Sequence, residues 1–281
     1  MGPGAGSGFM AEVVFENVRK VFRHRPALFN WVGRERTGET IALNDVSFTA
    51  PAGAVVALLG PNGSGKTTTL KLISTMLLPD GGAVRVAGFD SRRNSGEVRR
   101  QVGIAVAAER SFFPRLSARE NLNFFATLDE VPRRERGRRI GEVLRETGLE
   151  EQADTLVVKF SSGMYQRLGL ARAMIKQPSV LLLDEPTRSL DAGATSHLWA
   201  TIRLLAGRSL VFLATHNFAE AAALGDRILL LHHGELVEDR VLDGSAIAED
   251  LRALYFEKTG ECRHGGDGMA DETALRTGAA G

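Results

Sequence analysis

The eight residues Gly60-Pro61-Asn62-Gly63-Ser64-Gly65-Lys66-Thr67 constrain this chain more than any other part of it. They fit G-x-x-x-x-G-K-[ST] without a mismatch, and they stand where that pattern has a physical meaning. Ala54–Leu59 before them reads as a buried strand, and Thr67–Leu78 after them reads as a helix. Glycines let the backbone wrap tightly and aim its N–H groups at phosphate oxygens, and a helix starting near Thr67 adds its positive end. In such a loop Lys66 bridges the β- and γ-phosphates and the Thr67 hydroxyl is a ligand for Mg2+. The candidate nucleotide-binding residues run from Gly60 to Thr68. A glycine-rich turn with a chance Lys-Thr pair is the plain alternative, and the flanking strand and helix argue against it. The expected ligand is a nucleoside triphosphate.

A second segment completes the chemistry. Val180-Leu181-Leu182-Leu183 is an apolar strand that delivers Asp184 and Glu185 to its C-terminal end. There Asp184 can hold Mg2+, directly or through water, and Glu185 can polarise an attacking water. Two adjacent acids could merely cap the next helix. Paired with the phosphate loop they favour a hydrolase over a kinase.

Composition narrows the surroundings. The 281 residues are 43% hydrophobic and 25% charged, the balance of a protein with a sizeable core. The formal charge is +1, from 35 Lys+Arg against 34 Asp+Glu, so no basic field draws nucleic acid and none is expected as a partner. One cysteine, Cys262, leaves no internal disulfide and suits a reducing compartment. No apolar run approaches the roughly 18 residues of a membrane span. The N-terminal MGPGAGSGFM has neither the basic nor the apolar region of a signal peptide.

Along the chain, short apolar strands alternate with helical patterns, as in an α/β domain. Residues 1–10 and 260–281 read as disordered tails around a domain at 11–259. Val13–Phe15 and Ala42–Phe48 read as edge strands. Pro79-Asp80-Gly81-Gly82 turns the chain into a strand at Ala83–Ala87. From about 98 to 177 the pattern becomes helical, with Ile140, Val143, Leu144 and Thr147 on one face, and reads as an inserted subdomain. Strands return at Val180–Leu183, Ser209–Ala214 and Arg227–Leu231. The basic run Arg133–Arg139 reads as a solvated helix start, with a partner-facing or lipid-facing patch as the alternative. The pair His232-His233 reads as an ordinary turn.

With these residues in place, Val13–Val241 resembles the ATP-binding cassette family, most closely its exporter-type transporter subunits. Phe160-Ser161-Ser162-Gly163-Met164, with Tyr165-Gln166-Arg167 after it, is similar to the family signature LSGGQ and its QR extension. Phe, Ser162 and Met164 depart from that pattern. Ser189-Leu190-Asp191 is similar to the D-loop, Thr215-His216 to the switch histidine, and Phe22 to the aromatic that stacks on adenine. A plain N-cap at Ser161 and a core position for Phe22 are the competing readings. The resemblance implies a RecA-like P-loop NTPase core with an N-terminal antiparallel β region and a helical subdomain. It implies Glu185 and His216 in catalysis, Thr67 and Asp184 at the metal, and Ser161, Ser162, Gly163 and Asp191 acting on the nucleotide of a second subunit.

It further implies a head-to-tail dimer around two MgATP, at the cytoplasmic face of a membrane spanned by a separate permease. Two departures bear on the partner. The glutamine that the family places after the strand at 102–106 is missing from Val102–Arg110, and only Glu109 stands nearby as a coupling-loop candidate. The following Ser111–Leu116 is similar to loops of export subunits and favours export. An insertion from His24 to Thr40 carries Phe29 and Trp31, which suit packing on the core and docking a partner equally. An importer subunit and a soluble ATPase of the same family acting on nucleic acid or ribosomes are the alternative functions.

Overall fold

The computed structural model describes residues 12–23, 38–106, 112–188 and 190–260. The N-terminal tail, the C-terminal tail beyond Gly260, most of the 24–40 insertion, Glu109 and Ser189 lie outside the described residues. In chain order the first elements are β1 (Val13–Arg23), β2 (Glu39–Ala50), β3 (Val55–Leu59), α1 (Lys66–Ile73), β4 (Gly81–Val86), β5 (Phe89–Asp90), α2 (Ser95–Gln101) and β6 (Val102–Val106). Next come α3 (Ala118–Leu128), α4 (Arg133–Glu146), α5 (Ser162–Met174), β7 (Val180–Asp184), α6 (Ala192–Ala206) and β8 (Leu210–Thr215). The last are α7 (Phe218–Leu224), β9 (Arg227–His232), β10 (Glu235–Val241) and α8 (Ala248–Thr259).

Among the described residues ten strands form two sheets. The larger has the order β10-β9-β3-β8-β7-β6, parallel throughout except for β10 at one edge. Its central strands are apolar without alternation because both faces are covered. Leu181, Leu183, Val211 and Leu213 point to the core beneath α3–α6. Val180, Leu182, Leu210 and Phe212 point to the core shared with α1 and the smaller sheet. That smaller sheet is antiparallel, order β2-β1-β4-β5, and the Phe15–Phe48–Phe212 rings join the two sheets at centroid distances of 4.5 and 6.1 Å.

The connection from β3 runs to β6 at the far edge, and the chain then steps back through β7 and β8 to lie beside β3. The C-terminal ends of β3, β7 and β8 thereby meet, the position where open parallel sheets bind ligands.

Several elements differ from the sequence reading. β1 is no edge strand: it lies between β2 and β4 and runs to Arg23. Its alternation is broken by register shifts around Asn17, whose φ is 48°, so only its first three residues look like a strand in isolation. Helix α1 stops at Ile73 rather than Leu78, because Thr75 turns left-handed at φ 59°. Residues 102–106, inside the range assigned to the helical subdomain, are strand β6 of the parallel sheet. Helices α6, α7 and α8 and strand β10 have no counterpart in the sequence reading.

The helical segment α3–α5 packs on the parallel sheet around Leu122, Leu144 and Leu168. Ser117 and Glu120 close a reciprocal cap at the start of α3. The buried Asn121 amide binds Phe113 N and O and the Leu116 and Ser117 carbonyls, so it pins the loop that leads into the helix. This sends Phe112 inward against Phe125 and Tyr165 while Phe113 stays exposed against Phe124. The Arg133–Arg139 run forms the first turns of α4 and pairs along itself, Arg139 with Glu135 and Arg138 with Glu142, each at 2.7 Å. Among the described residues no helix is long and apolar enough to cross a membrane.

Leu58 is fully buried in β3, two residues before Gly60 of the phosphate loop. Leu58→Ala is expected to cost about 2–5 kcal/mol of folding stability, read from urea unfolding.

Candidate nucleotide site

The phosphate loop is shaped by what surrounds it. Gly60 has φ 153°, and a Cβ there would sit 2.2 Å from the Leu231 carbonyl oxygen. Gly65, with φ 111°, caps α1, and a Cβ there would meet Leu43 and the Ala42 carbonyl below 3.0 Å. The turn after β9 closes against the loop: the Gly234 N–H donates to Ser64 O at 3.1 Å, and the Asn44 N–H donates to Gly234 O at 2.8 Å. His233 stands in that turn with φ 46°, whereas His232 ends strand β9 opposite Glu235, so only the second histidine of the pair is in the turn that the sequence suggested.

Lys66 is only 6% exposed, and its ammonium donates to the carbonyls of Gly60 at 2.7 Å and Pro61 at 3.0 Å. Burial pushes its pKa down, while the neighbouring Glu185 and Asp184 push it up. The Thr67 hydroxyl donates to Asp184, 3.0 Å from Oδ2 and 3.3 Å from Oδ1. Burial raises the Asp184 carboxyl above the usual range, the Thr67 hydrogen bond opposes this, and Glu185 adds to it. Two residues 117 positions apart thus meet because β3 and β7 both flank β8 and end at the same level.

Glu185 follows β7 with φ 51°, a left-handed conformation costly for a residue with a Cβ. Its backbone N–H is held by Ala214 O at 2.9 Å. Its Oε1 lies 2.8 Å from Nδ1 of His216, the residue just past β8. Phe22, 36% exposed at the rim, lines the same cleft as Asn62, Thr68 and Glu185, so it is not a core residue. Arg188 also lines this cleft and was missed in the sequence, where nothing sets it apart from other arginines.

The signature residues lie elsewhere. Ser161 is the N-cap of α5, with its Oγ accepting the Met164 N–H at 3.2 Å. Ser161, Ser162 and Gly163 border a separate depression with Asp191 and His197. Asp191 caps α6 by accepting the Ala194 N–H at 2.8 Å. The Gln166 side-chain amide donates to the Arg188 carbonyl and so fastens α5 to the turn after Glu185. One chain therefore lines a cleft with Lys66, Thr67, Asp184 and Glu185, sets His216 against Glu185, and places Ser161–Gly163 and Asp191 at another depression.

A phosphate loop at the end of a parallel strand, facing an acid pair and a histidine, defines a P-loop nucleotide hydrolase site. Residues 43–188 match the family described as ABC transporter. The ABC transporter ATP-binding protein NatA of Bacillus subtilis (strain 168) is 34% identical over 221 residues, 77% of this chain and 90% of that protein. The Nod factor export ATP-binding protein I of Burkholderia lata is 35% identical over 225 residues, 79% of this chain and 74% of that protein. The dimeric ATP-binding cassette MJ0796, solved in a post-hydrolysis state with ADP and Pi, superposes with a TM-score of 0.69 at 27% identity, covering 82% of this chain and 98% of that one. The chain belongs to the ABC transporter family and is an ATP-binding, ATP-hydrolysing subunit of it.

The raised Asp184 carboxyl gives a test of the site's electrostatics. A carboxyl raised by folding makes its ionised form a cost, one that fades as pH falls through the raised pKa. Asp184→Asn is therefore expected to melt higher than wild type at neutral pH without nucleotide. The gain should shrink as the pH is lowered, read by calorimetry across a pH series.

Proposed function

We propose that this chain hydrolyses MgATP to power export of a solute through a separate membrane-spanning permease. The supporting observation is the separation of the two half-sites: Lys66, Asp184 and Glu185 share one cleft with His216 bonded to Glu185, and Ser161–Gly163 open into another. A chain built this way completes its site with the signature helix of a second subunit, head to tail, so that two nucleotides lie between two copies or paralogues.

The residues fit a nucleotide with a divalent cation. The glycine cradle leaves backbone room that a Cβ would fill, and the buried Lys66 ammonium faces Asp184 and Glu185. Thr67 and Asp184 would hold the cation. Two protein oxygen ligands suit Mg2+, which keeps water and phosphate oxygens in its shell, better than a protein cage. The cation neutralises phosphate charge. Lys66 binds the phosphates, Phe22 flanks the base, and Glu185 orients and deprotonates water, with His216 fixing the Glu185 carboxylate. In the partner's site Ser161, Ser162, Gly163 and Asp191 supply the hydroxyl, bare backbone and carboxylate.

Export is supported by the likeness to a Nod factor export ATP-binding protein. The permease takes this chain to the cytoplasmic face of the membrane. Glu109 is proposed to couple the cleft to the permease, ahead of the Phe112–Phe113 loop that Asn121 pins.

Glu185→Gln keeps the shape of the side chain and removes the base, so ATP should hold the dimer closed. Its mass in size-exclusion light scattering is expected to double with MgATP and not with MgADP; a mass unchanged by MgATP would remove the dimer from the proposal. The same variant, tagged and isolated with ATP from detergent-solubilised membranes of its own host, is expected to bring down a polytopic membrane protein in comparable amount. Recovery of ribosomes or nucleic acid instead would move the chain to the soluble members of the family.

A further inference from the structure

We propose that Arg188 is a further phosphate-binding residue, a second cation that meets the terminal phosphate of the nucleotide held in its own chain's cleft. The proposal rests on the reading of the cleft as the ATP-hydrolysing site.

Arg188 lines the cleft together with Lys66, Thr67, Asp184 and Glu185. Its main chain is fixed from both sides. The Arg188 N–H donates to the Glu185 carbonyl at 3.1 Å and closes the turn that begins at the acid pair. The Arg188 carbonyl accepts the side-chain amide of Gln166, which anchors that turn to α5. Pro186, buried within the turn, locks a further backbone angle. The side chain has no such ties. It is exposed, and among the described residues its guanidinium makes no hydrogen bond or ion pair. Arg139, Arg203 and Arg227, by contrast, each bind a carboxylate.

The charges of the cleft leave a task for this cation. Lys66, the other cation on its wall, is 6% exposed and already donates to the Gly60 and Pro61 carbonyls. The two acids are engaged as well, Asp184 by the Thr67 hydroxyl and Glu185 by His216. A triphosphate set beside those acids brings more negative charge than one ammonium balances, and the Arg188 guanidinium is the uncommitted cation that can meet it. Its planar fork of five donors stays charged at neutral pH and matches phosphate oxygens two at a time. Position along the cleft selects the phosphate. Glu185 orients the water that attacks the terminal phosphorus, and Arg188 closes the same turn three residues later. Phe22 flanks the base at the rim. The fork therefore meets the phosphate that ATP has and ADP lacks.

The test compares MgATP with MgADP on the purified full chain, at a concentration where light scattering shows a monomer. Arg188→Gln is expected to raise the Kd for MgATP about tenfold, the loss of one charge-assisted contact at a solvent-accessible site. The Kd for MgADP should stay within about twofold, because Lys66 and the glycine loop are untouched. Arg188→Lys keeps the charge and loses the fork, so its Kd for MgATP should fall between those of Arg188→Gln and wild type. The replaced side chain is exposed and unpaired, so both variants should unfold in urea with the wild-type midpoint. Equal losses of MgATP and MgADP affinity, or a wild-type preference for MgATP in Arg188→Gln, would each overturn the proposal. So would a loss seen only once the dimer forms, which would move Arg188 to the partner's nucleotide. Lys66→Ala is the separate control: MgATP binding undiminished in it would sink the reading of the cleft itself, whatever Arg188 does.

Discussion

The buried Lys66 ammonium is the interaction on which the rest of the site depends. A primary amine only 6% exposed must find compensation for lost hydration, and here it has two carbonyls of its own loop and the field of two acids. Those carbonyls point inward only because Gly60 and Gly65 adopt backbone conformations that a Cβ would block. The acids are present only because β7 ends beside β8 at the height where β3 ends. Disturbing the loop, the sheet register or the acids therefore disturbs the same charge balance.

That balance also fits the function. Lys66 is lowered by burial, Asp184 is raised by burial, and Glu185 sits in a strained backbone. A polyanion with its cation would relieve the first two by supplying the charges the cleft lacks, which couples ligand binding to the state of the protein. Helix α5, proposed to serve the nucleotide of a second subunit, is fastened by Gln166 to the Arg188 carbonyl within the Glu185 turn. The chain thus carries an internal link between its cleft and the depression bordered by Ser161–Gly163.

Much of this was legible in the sequence because the key signals are local. The Gly60–Thr67 pattern between strand and helix needs no distant contact to be recognised, and the Val180–Leu183 strand announces the acids that follow it. What stayed hidden was whatever depends on non-local pairing. β1 looked like a three-residue edge strand because bulges around Asn17 break its alternation, although β2 and β4 flank it. Strand β10, half exposed and charged, has no apolar run to betray it and exists by pairing with β9. Asn121 gave no signal beyond its place in a helix start, yet its amide pins the loop before α3.

The sequence by itself determined the phosphate loop, the acid pair that follows its strand, and the family. These follow from residue type and short spacing, which the covalent chain fixes. Only the tertiary structure decided which groups share a cleft. It set Ser161 and Asp191 apart from Lys66 and joined Glu185 to His216 across 31 positions. The physical reason is that strand order in the parallel sheet, not distance along the chain, sets which loop ends meet.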